Sequence, residues 1–118
     1  MIFYDYNGEP VAYSEDDIHI YLFTGEPVAY FDKDAVYGYN GKQLGWFNNG
    51  WIRDLNGCCV FFTENSTGSG PVKPVKHVCP EKSIKHVKPV KCMKAVQNIR
   101  PVSCLDWSPL TGTAFFTQ

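Results

Sequence analysis

The sequence predicts an all-β protein in which four β-hairpin repeats, arranged with pseudo-four-fold symmetry, are followed by an extended, polyproline-II-like C-terminal wrap. Three observations support this prediction. The hexapeptide GEPVAY occurs at 8–13 and again at 25–30, with looser copies at 41–46 and 57–62. Turn-forming dipeptides separate runs of aromatic and β-branched residues throughout this half of the chain. From Pro71 onward, an apolar residue occupies almost every third position.

The repeats cover residues 1–17, 18–34, 35–50 and 51–65, and their glycines are 17, 16 and 16 residues apart. In each repeat a turn dipeptide lies between two strand-like runs: Asn-Gly in three repeats and Thr-Gly in the second. Glycine and asparagine adopt positive φ at little cost, so these dipeptides predict hairpins with two-residue loops. Because the connections between hairpins are short and polar, we expect an up-and-down meander of about eight strands.

A two-residue loop also sets the register of the first hairpin, in which Tyr4 is expected to face Val11, and Phe3 to face Ala12. Successive side chains of a strand point to opposite faces of the sheet. We therefore expect the tyrosine-rich face, with Tyr4, Val11 and Tyr13, to form the core, and the face with Phe3 and Ala12 to lie opposite it.

Two further patterns concern how the hairpins meet. One repeat position is small in three copies and large in the fourth: Ala12, Ala29, Gly45 and Phe61. Small side chains at equivalent sites suggest that the backbones approach closely around a shared axis. Pro10 and Pro27 lack the N–H that strand pairing needs, so the hairpins are expected to separate at their tips and join nearer their bases.

The segment from 71 to 105, called here the triplet segment, has a period of three. Most of its triplets resemble Pro-Val-Lys, with an apolar second residue and a basic third residue. This period fits neither an α-helix nor an alternating strand, but it fits polyproline II, which has three residues per turn. Fully extended, the segment would span about 110 Å, several times the width of such a domain, so it is expected to wrap around the hairpins.

Charge is distributed unevenly and supports the same arrangement. Residues 1–65 carry ten acidic and three basic side chains, whereas residues 66–118 carry two acidic and eight basic ones. The basic triplet segment is therefore expected to lie on the acidic hairpins, with its valines as the anchor and its lysines orienting it. The apolar run at 113–117 is expected to form a closing strand on an exposed edge.

Length and composition limit the class of protein. A chain of 118 residues with a net charge of −1 is expected to form a single domain. No apolar run approaches the roughly 20 residues of a membrane-spanning helix, and the first ten residues do not resemble a signal peptide, so cytoplasmic residence is predicted. Five cysteines, an odd number, favour reduced thiols over a disulfide framework.

Together these motifs resemble the four-fold beta flower domain, a small bacterial family. The resemblance rests on the GEPVAY repeats, GKQLGWF at 41–47, WIRDLNG at 51–57, FTEN at 62–65, PVKPVK at 71–76 and the late Trp-Ser at 107–108. It covers nearly the whole chain. It implies a pseudo-four-fold arrangement of hairpins with a C-terminal wrap, and it implies no particular activity.

Repeat-equivalent aromatic residues are the first candidate ligand site. Tyr13, Tyr30 and Trp46, with Phe62, could line a central aromatic cavity suited to a cation or a sugar ring. The alternative is that these side chains are simply the core.

Carboxylates are the second candidate site. A pair for acid/base chemistry could come from Asp5, Glu9, Glu26 and Asp54, of which Asp5 and Asp54 occupy equivalent positions on an otherwise apolar face. Such a buried charge needs a partner, and Arg53 or a lysine of the triplet segment would serve. The alternative for acidic residues near hairpin tips is ordinary solvation.

Other chemistry has weaker signals. The spacing of His77, Cys79, His86 and Cys92 matches no tight metal site, so neither a metal nor a cofactor is predicted. The pair at 58–59 is either redox-active or packed and inert. The lysine row could follow a nucleic acid, but the near-zero net charge argues against this.

Two kinds of function therefore stay open. The favoured one is a non-catalytic binding or interaction module that meets a protein partner or a small ligand, with no nucleic acid and no membrane involved. The alternative is a small enzyme that uses carboxylates or thiols gathered by the pseudo-symmetry.

Overall fold

The computed structural model describes residues 1–118, and its first half is a closed antiparallel barrel of eight strands that neighbour one another in sequence order. The barrel closes where β8 pairs with β1, and each sequence repeat supplies one hairpin. The predicted all-β arrangement of four hairpins is therefore confirmed. The strands are β1 (Ile2–Tyr4), β2 (Pro10–Tyr13), β3 (His19–Leu22), β4 (Pro27–Asp32), β5 (Ala35–Tyr37), β6 (Gln43–Asn48), β7 (Trp51–Asp54) and β8 (Cys59–Phe62).

All four hairpin turns share one hydrogen-bond pattern, which differs from the predicted two-residue loop. In the first turn the N–H of Gly8 donates to the carbonyl of Asp5, and the N–H of Asp5 donates to the carbonyl of Glu9, both at 2.9 Å. This pattern encloses three loop residues, the last of which is Gly8 with a φ of 81°. It is the type of loop in which a tight turn is followed by a glycine bulge.

The extra loop residue changes the register near each turn. Phe3 pairs with Ala12 as expected, but Tyr4 pairs with Pro10 instead of Val11, because the register shifts between Phe3 and Tyr4. The same shift recurs in the other three hairpins. The predicted register is therefore correct at Phe3, which lies away from the turn, and wrong at Tyr4, which lies beside it.

The barrel interior is built from the face opposite to the predicted one. A single apolar cluster combines side chains from all four repeats, which only the inside of a closed barrel allows. The tyrosine-rich face lies on the outside, where its side chains form three separate clusters. The interior strand residues are Phe3, Ala12, Ile20, Ala29, Val36, Leu44, Ile52, Val60 and Phe61.

The row of small residues fits this interior, because an eight-stranded barrel is only wide enough for side chains to fill it. Ala12 and Ala29 are fully buried, and a Cβ at Gly45 would overlap the carbonyl oxygen of Arg53. Pairing between hairpins varies from one pair between β8 and β1 to four between β6 and β7. The pairs of β2 with β3 join Ala12 to Leu22 and Tyr13 to Tyr21, so Pro10, nearer the first turn, does not pair with the neighbouring hairpin.

A 3₁₀ helix (Gly112–Thr117) replaces the predicted closing strand at 113–117. The prediction was wrong because the closed barrel leaves no free edge. The apolar residues fill the barrel instead: Phe115 is fully buried, with its ring centroid 5.8 Å from that of Phe61, and Phe116 stacks on Phe61 at 5.5 Å. No helix of the protein has the length and apolar character needed to cross a membrane.

The triplet segment contains neither helix nor strand, and it passes the four hairpin turns in order. At each turn one of its N–H groups donates to the carbonyl of the turn glycine, at 2.8–3.0 Å. The donors, nine residues apart, are His77 to Gly8, His86 to Gly25, Ala95 to Gly41 and Cys104 to Gly57. Three triplets therefore correspond to one hairpin, while the polyproline II conformation itself stays a prediction.

The valine side chains of the triplet segment do not face the barrel. Val75, Val87 and Ile99 are 87%, 93% and 94% exposed, and the other apolar triplet positions up to Val102 are exposed to a similar extent. The prediction that the valines anchor this segment was therefore wrong. The basic side chains contact the barrel in their place.

Candidate functional site

The outer face of the barrel carries pairs of aromatic rings at the junctions between adjacent hairpins. Tyr13 stacks with Tyr21 across the β2–β3 junction, with ring centroids 6.0 Å apart. Two further junctions repeat this arrangement: Tyr30 with Tyr37 at 6.0 Å, and Tyr4 with Phe62 at 5.3 Å. The fourth junction differs, because Trp46 on β6 lies opposite Arg53 on β7.

Cations of the triplet segment lie over these rings at the same nine-residue spacing. The ammonium groups of Lys82 and Lys91 lie 4.6 Å and 4.2 Å from the ring centroids of Tyr13 and Tyr30. The guanidinium of Arg100 lies 5.1 Å from the Trp46 ring. An exposed cation–π contact stabilises by about 0.5–1 kcal/mol, so the row can hold an extended segment that buries none of its valines.

A second row of cations covers the other ring of each junction. Lys76, Lys85 and Lys94 lie 5.8, 5.1 and 5.9 Å from the rings of Tyr4, Tyr21 and Tyr37. The next member of this row is Ser103, and the barrel residue at the matching position is Arg53. A lysine at 103 would face the guanidinium of Arg53. At this junction serine therefore replaces the lysine, and arginine replaces the aromatic residue.

Carboxylates at the bases of the hairpins complete the contact. Glu15 pairs with Lys82 at 3.2 Å and with Lys85, and Asp32 pairs with Lys94 at 2.7 Å. The ammonium groups lower the pKa of both carboxyls through hydrogen bonds and charge. Because these pairs are exposed, they contribute little each, but they orient the segment as its charge predicts.

The predicted aromatic ligand site is split between clusters. Tyr30 and Trp46 share one outer cluster, whereas Tyr13 belongs to another, and none of the three points into the barrel. The faces of their rings are covered by cations of the same chain. The prediction that these side chains line a central cavity was therefore wrong, because phenylalanines and small residues fill the barrel.

Asp5 and Asp54 hold their own turns rather than each other. The Oδ1 atom of Asp5 accepts the N–H groups of Asn7 and Glu9 at 2.9 and 3.0 Å. Asp54 repeats this arrangement in the fourth turn, and its Oδ2 accepts the hydroxyl of Ser108 at 2.5 Å. Neither carboxylate has the cationic partner that the sequence suggests, because backbone N–H groups satisfy the charge.

The thiols near the fourth turn are poorly activated. A hydrogen bond with Cys104 and burial raise the pKa of Cys58 to about 12, and burial raises the pKa of Cys59 to about 11. Both are therefore protonated at neutral pH, which makes them weak nucleophiles. No three His, Cys, Asp or Glu side chains are placed to hold a metal ion.

Arg53 is a residue of the fourth junction whose burial the sequence did not reveal. It is only 5% exposed, and its guanidinium donates to the carbonyls of Gly57 at 2.8 Å, Cys104 at 2.9 Å and Ser69. Ser69 precedes the triplet segment and Cys104 is near its end, so one side chain joins both ends of that segment. The signal that could have revealed this was the arginine at a tyrosine position, matched by a serine at a lysine position.

The chain was compared with models of known protein families, and the result agrees with the four hairpins and the triplet segment described above. The model of the family described as 4-fold beta flower protein matches residues 1–116. The chain belongs to this family. In this beta flower protein the turn glycines are 16 or 17 residues apart, and the triplet-segment residues that bond to them are nine apart. The pseudo-four-fold symmetry of the barrel therefore extends to the triplet segment. Neither the curated proteins nor the solved structures gave a match to the chain.

Proposed function

We propose that this beta flower protein is a non-catalytic interaction module, and that it binds a protein partner through the outward side of the triplet segment. The observation that carries the proposal is the row of apolar side chains exposed along that segment. We call this row the apolar stripe. It consists of Val72, Val75, Val78, Ile84, Val87, Val90, Met93, Val96, Ile99, Val102 and Leu105.

The stripe is unusual for a folded protein in isolation. Burying a valine or isoleucine side chain typically stabilises by about 1.5–3 kcal/mol, and here most of that gain is not realised within the chain. Exposed apolar side chains grouped in this way, interrupted here only at Glu81, mark interaction sites on folded proteins. Six of the eight basic residues of the segment, in contrast, are already engaged by aromatic rings or carboxylates, which leaves less charge for a polyanion.

The shape of the protein limits the kind of partner. The backbone fills a disc of 35 × 35 × 22 Å, and the triplet segment follows the hairpin turns around it. Val78, Val87 and Val96 occupy equivalent triplet positions beside successive hairpins. A flat partner would reach only a few stripe residues, too few for the roughly 800 Å² that each side of a stable interface usually buries. We therefore propose a partner with a concave apolar surface, in the bacterial cytoplasm.

The enzyme alternative has less support. The paired aspartates each hold a separate turn, and the thiols near them are protonated at neutral pH. A small ligand is supported only by the aromatic rings, which are covered by the protein's own cations.

Site-specific photo-crosslinking in the native host tests the proposal. A photoreactive amino acid placed at Val78, Val87 or Val96 is expected to give discrete adducts with a protein partner. The matched controls are Lys88 and Gln97, which are also exposed on the triplet segment but lie outside the stripe. Equal adducts at stripe and control positions, or none at the stripe, would contradict a partner bound through these valines.

A further inference from the structure

At each hairpin turn, one residue follows the turn glycine and one triplet-segment residue bonds to the carbonyl of that glycine. At the first turn these two residues are Glu9 and His77. The N–H of His77 donates to Gly8 at 2.9 Å, and its ring Nδ1 lies 3.5 Å from Oε1 of Glu9. The repeat therefore relates three further pairs of side chains to a pair that is in contact. They are Glu26 with His86, Lys42 with Ala95, and Cys58 with Cys104.

At the fourth turn this pair consists of two cysteines. The N–H of Cys104 donates to the carbonyl of Gly57 at 3.0 Å, and the thiols of Cys58 and Cys104 share a hydrogen bond. Both thiols are free and partly exposed. The neighbouring Cys59, in contrast, is fully buried among aromatic side chains. The two thiols in contact are therefore accessible to a small reagent, whereas Cys59 is shielded from it.

The backbone around the two thiols is already held in place. Nη1 of Arg53 donates to the carbonyls of both Gly57 and Cys104, at 2.8 and 2.9 Å. Just beyond, the N–H of Cys59 donates to the carbonyl of Asp106 at 3.2 Å. Backbones that share hydrogen bonds lie about 5 Å apart, and a disulfide usually joins α-carbons about 4.4–6.8 Å apart. A bond between the two sulfur atoms therefore requires rotation of the side chains and little movement of the backbone.

We propose that Cys58 and Cys104 form a reversible disulfide when the protein meets a peroxide. The sulfur of Cys104 is the attacking atom, because it accepts the backbone N–H of Asp106 at 3.3 Å, a contact that stabilises a thiolate. Its attack on hydrogen peroxide breaks the O–O bond and gives a sulfenic acid at Cys104. The other oxygen leaves as hydroxide and takes up the proton that Cys104 lost, which gives the first water molecule.

The second step joins the two sulfur atoms. Contact with Cys104 is the largest cause of the raised pKa of Cys58, so oxidation of Cys104 frees Cys58 to react. The Cys58 sulfur attacks the sulfenic sulfur, the S–O bond breaks, and the hydroxide that leaves takes up the proton of Cys58. Two thiols are thereby oxidised to one disulfide, and one peroxide is reduced to two water molecules. A dithiol reverses the reaction by thiol–disulfide exchange.

The disulfide fixes the far end of the triplet segment to the barrel. It encloses β8 and the triplet segment in one covalent loop, which restricts the unfolded chain. The melting temperature of the oxidised protein is therefore expected to exceed that of the reduced protein by on the order of 10 °C. This inference goes beyond the proposed partner surface and does not depend on it, because neither cysteine belongs to the apolar stripe.

Peroxide treatment of the reduced full chain tests the proposal. After one equivalent of hydrogen peroxide, the remaining thiols are blocked by alkylation, and the unreduced protein is digested and mapped by mass spectrometry. The expected main product is a monomer in which Cys58 is joined to Cys104, while Cys79 and Cys92 carry the blocking group. Dithiothreitol is expected to reverse the link. Blocking groups on both Cys58 and Cys104, including a result in which the exposed Cys92 reacts first, would overturn the proposal.

The third turn supplies a matched variant, because Ala95 there holds the position of Cys104. Cys104→Ala is expected to abolish the rise in melting temperature on peroxide treatment. Cys92→Ser removes another thiol of the same segment and is expected to keep the rise. Each variant is compared with its own reduced form, and an equal rise in Cys104→Ala and the wild type contradicts the proposal. If Cys104→Ala does not fold, Cys92→Ser decides: absence of the link between Cys58 and Cys104 contradicts the site.

Discussion

The ammonium group of Lys91 lies 4.2 Å from the centroid of the Tyr30 ring, and the adjacent Val90 is 91% exposed. In the triplet segment the charged residue therefore faces the protein and the apolar residue faces water. This arrangement is the reverse of the usual one. It explains how the segment is attached to the barrel without burying its valines, and it allows the attachment to be tested one side chain at a time.

Replacing Lys91 by alanine is expected to lower the free energy of unfolding by about 0.5–1 kcal/mol, because one cation–π contact is lost. Lys88→Ala is the matched control, since Lys88 is exposed on the same segment and has no ion pair or ring contact. Urea unfolding of both variants measures the difference. Equal stability of the two variants would show that the ring contact does not hold the segment.

The close approach of the triplet segment to each turn predicts a larger effect for a turn glycine. Gly25 has a φ of 94°, and a Cβ there would overlap the carbonyl oxygen of Ile84. Gly25→Ala is therefore expected to displace the segment locally, in addition to about 1–2 kcal/mol of backbone strain. Limited proteolysis between residues 77 and 92 is expected to become faster in this variant.

The variant Gly112→Ala distinguishes the effect of backbone strain from the effect of displacing the triplet segment. Gly112 also has a positive φ of 57°, but a Cβ there would meet no atom within 4 Å. This variant is expected to lose stability through strain alone, while the cleavage rate in the triplet segment stays at the wild-type value. Faster cleavage in both variants would mean that general destabilisation, and not the contact with Ile84, exposes the segment.

Removing a buried side chain of the C-terminal helix is expected to cost far more stability than removing an exposed valine of the triplet segment. Phe115→Ala is expected to cost about 3–5 kcal/mol, because Phe115 is fully buried against Phe61 in the barrel. Val87→Ala is expected to change stability by less than about 0.5 kcal/mol, because that side chain is 93% exposed. Chemical denaturation of both variants gives the comparison. A large loss for Val87→Ala would restore the view that the valines anchor the segment.

The repeat period allowed the hairpins to be predicted, because glycines 16 or 17 residues apart leave room for two short strands and their turns. The register beside the turn could not be predicted in the same way. Asn7-Gly8 is compatible with a two-residue loop and also with the last two positions of a three-residue loop. Only the hydrogen bond from Asp5 to Glu9 distinguishes them, and that bond belongs to the folded chain.

The choice of interior face failed for a related reason. Phe3 and Tyr4 alternate along β1, and both are buried, one inside the barrel and one beneath the triplet segment. When both faces of a sheet are covered, hydrophobicity does not distinguish them. The small residues Ala12 and Ala29 carried the better information, because a narrow barrel needs small side chains inside.

The orientation of the triplet segment depended on the surface it meets. A period of three places one row of side chains against the barrel, and hydrophobicity alone selects the valines. The outer surface of the barrel is aromatic and acidic, however, and a lysine can bury its stem while its charge stays near a ring face or a carboxylate. The charge pattern therefore predicted that the basic segment lies on the acidic hairpins, but not that its lysines cover aromatic rings or that its apolar stripe points outward.

The contacts of Asp16, in the connection between the first two hairpins, predict how the stability of the fold depends on pH. Oδ1 of Asp16 accepts the N–H groups of Ile18 and His19 at 2.9 and 2.8 Å, and Oδ2 lies 2.7 Å from the His19 ring. Partial burial acts to raise the pKa of Asp16, but these hydrogen bonds and the His19 ring outweigh it and hold the pKa well below its usual value. Since the pKa is lower in the folded than in the unfolded chain, the contribution is complete above about pH 4 and is lost as the pH falls.

Asp16→Asn keeps an acceptor for the two N–H groups but removes the charge. Its stability is therefore expected to be lower than that of the wild type at pH 7, and the gap is expected to narrow as the pH falls below about 4. Urea unfolding of both proteins at pH 7, 5, 4 and 3 measures this gap. Because Glu15 and Asp32 titrate in both proteins, only the difference reports on Asp16, and a gap of constant size across the series would rule out its charge as the cause.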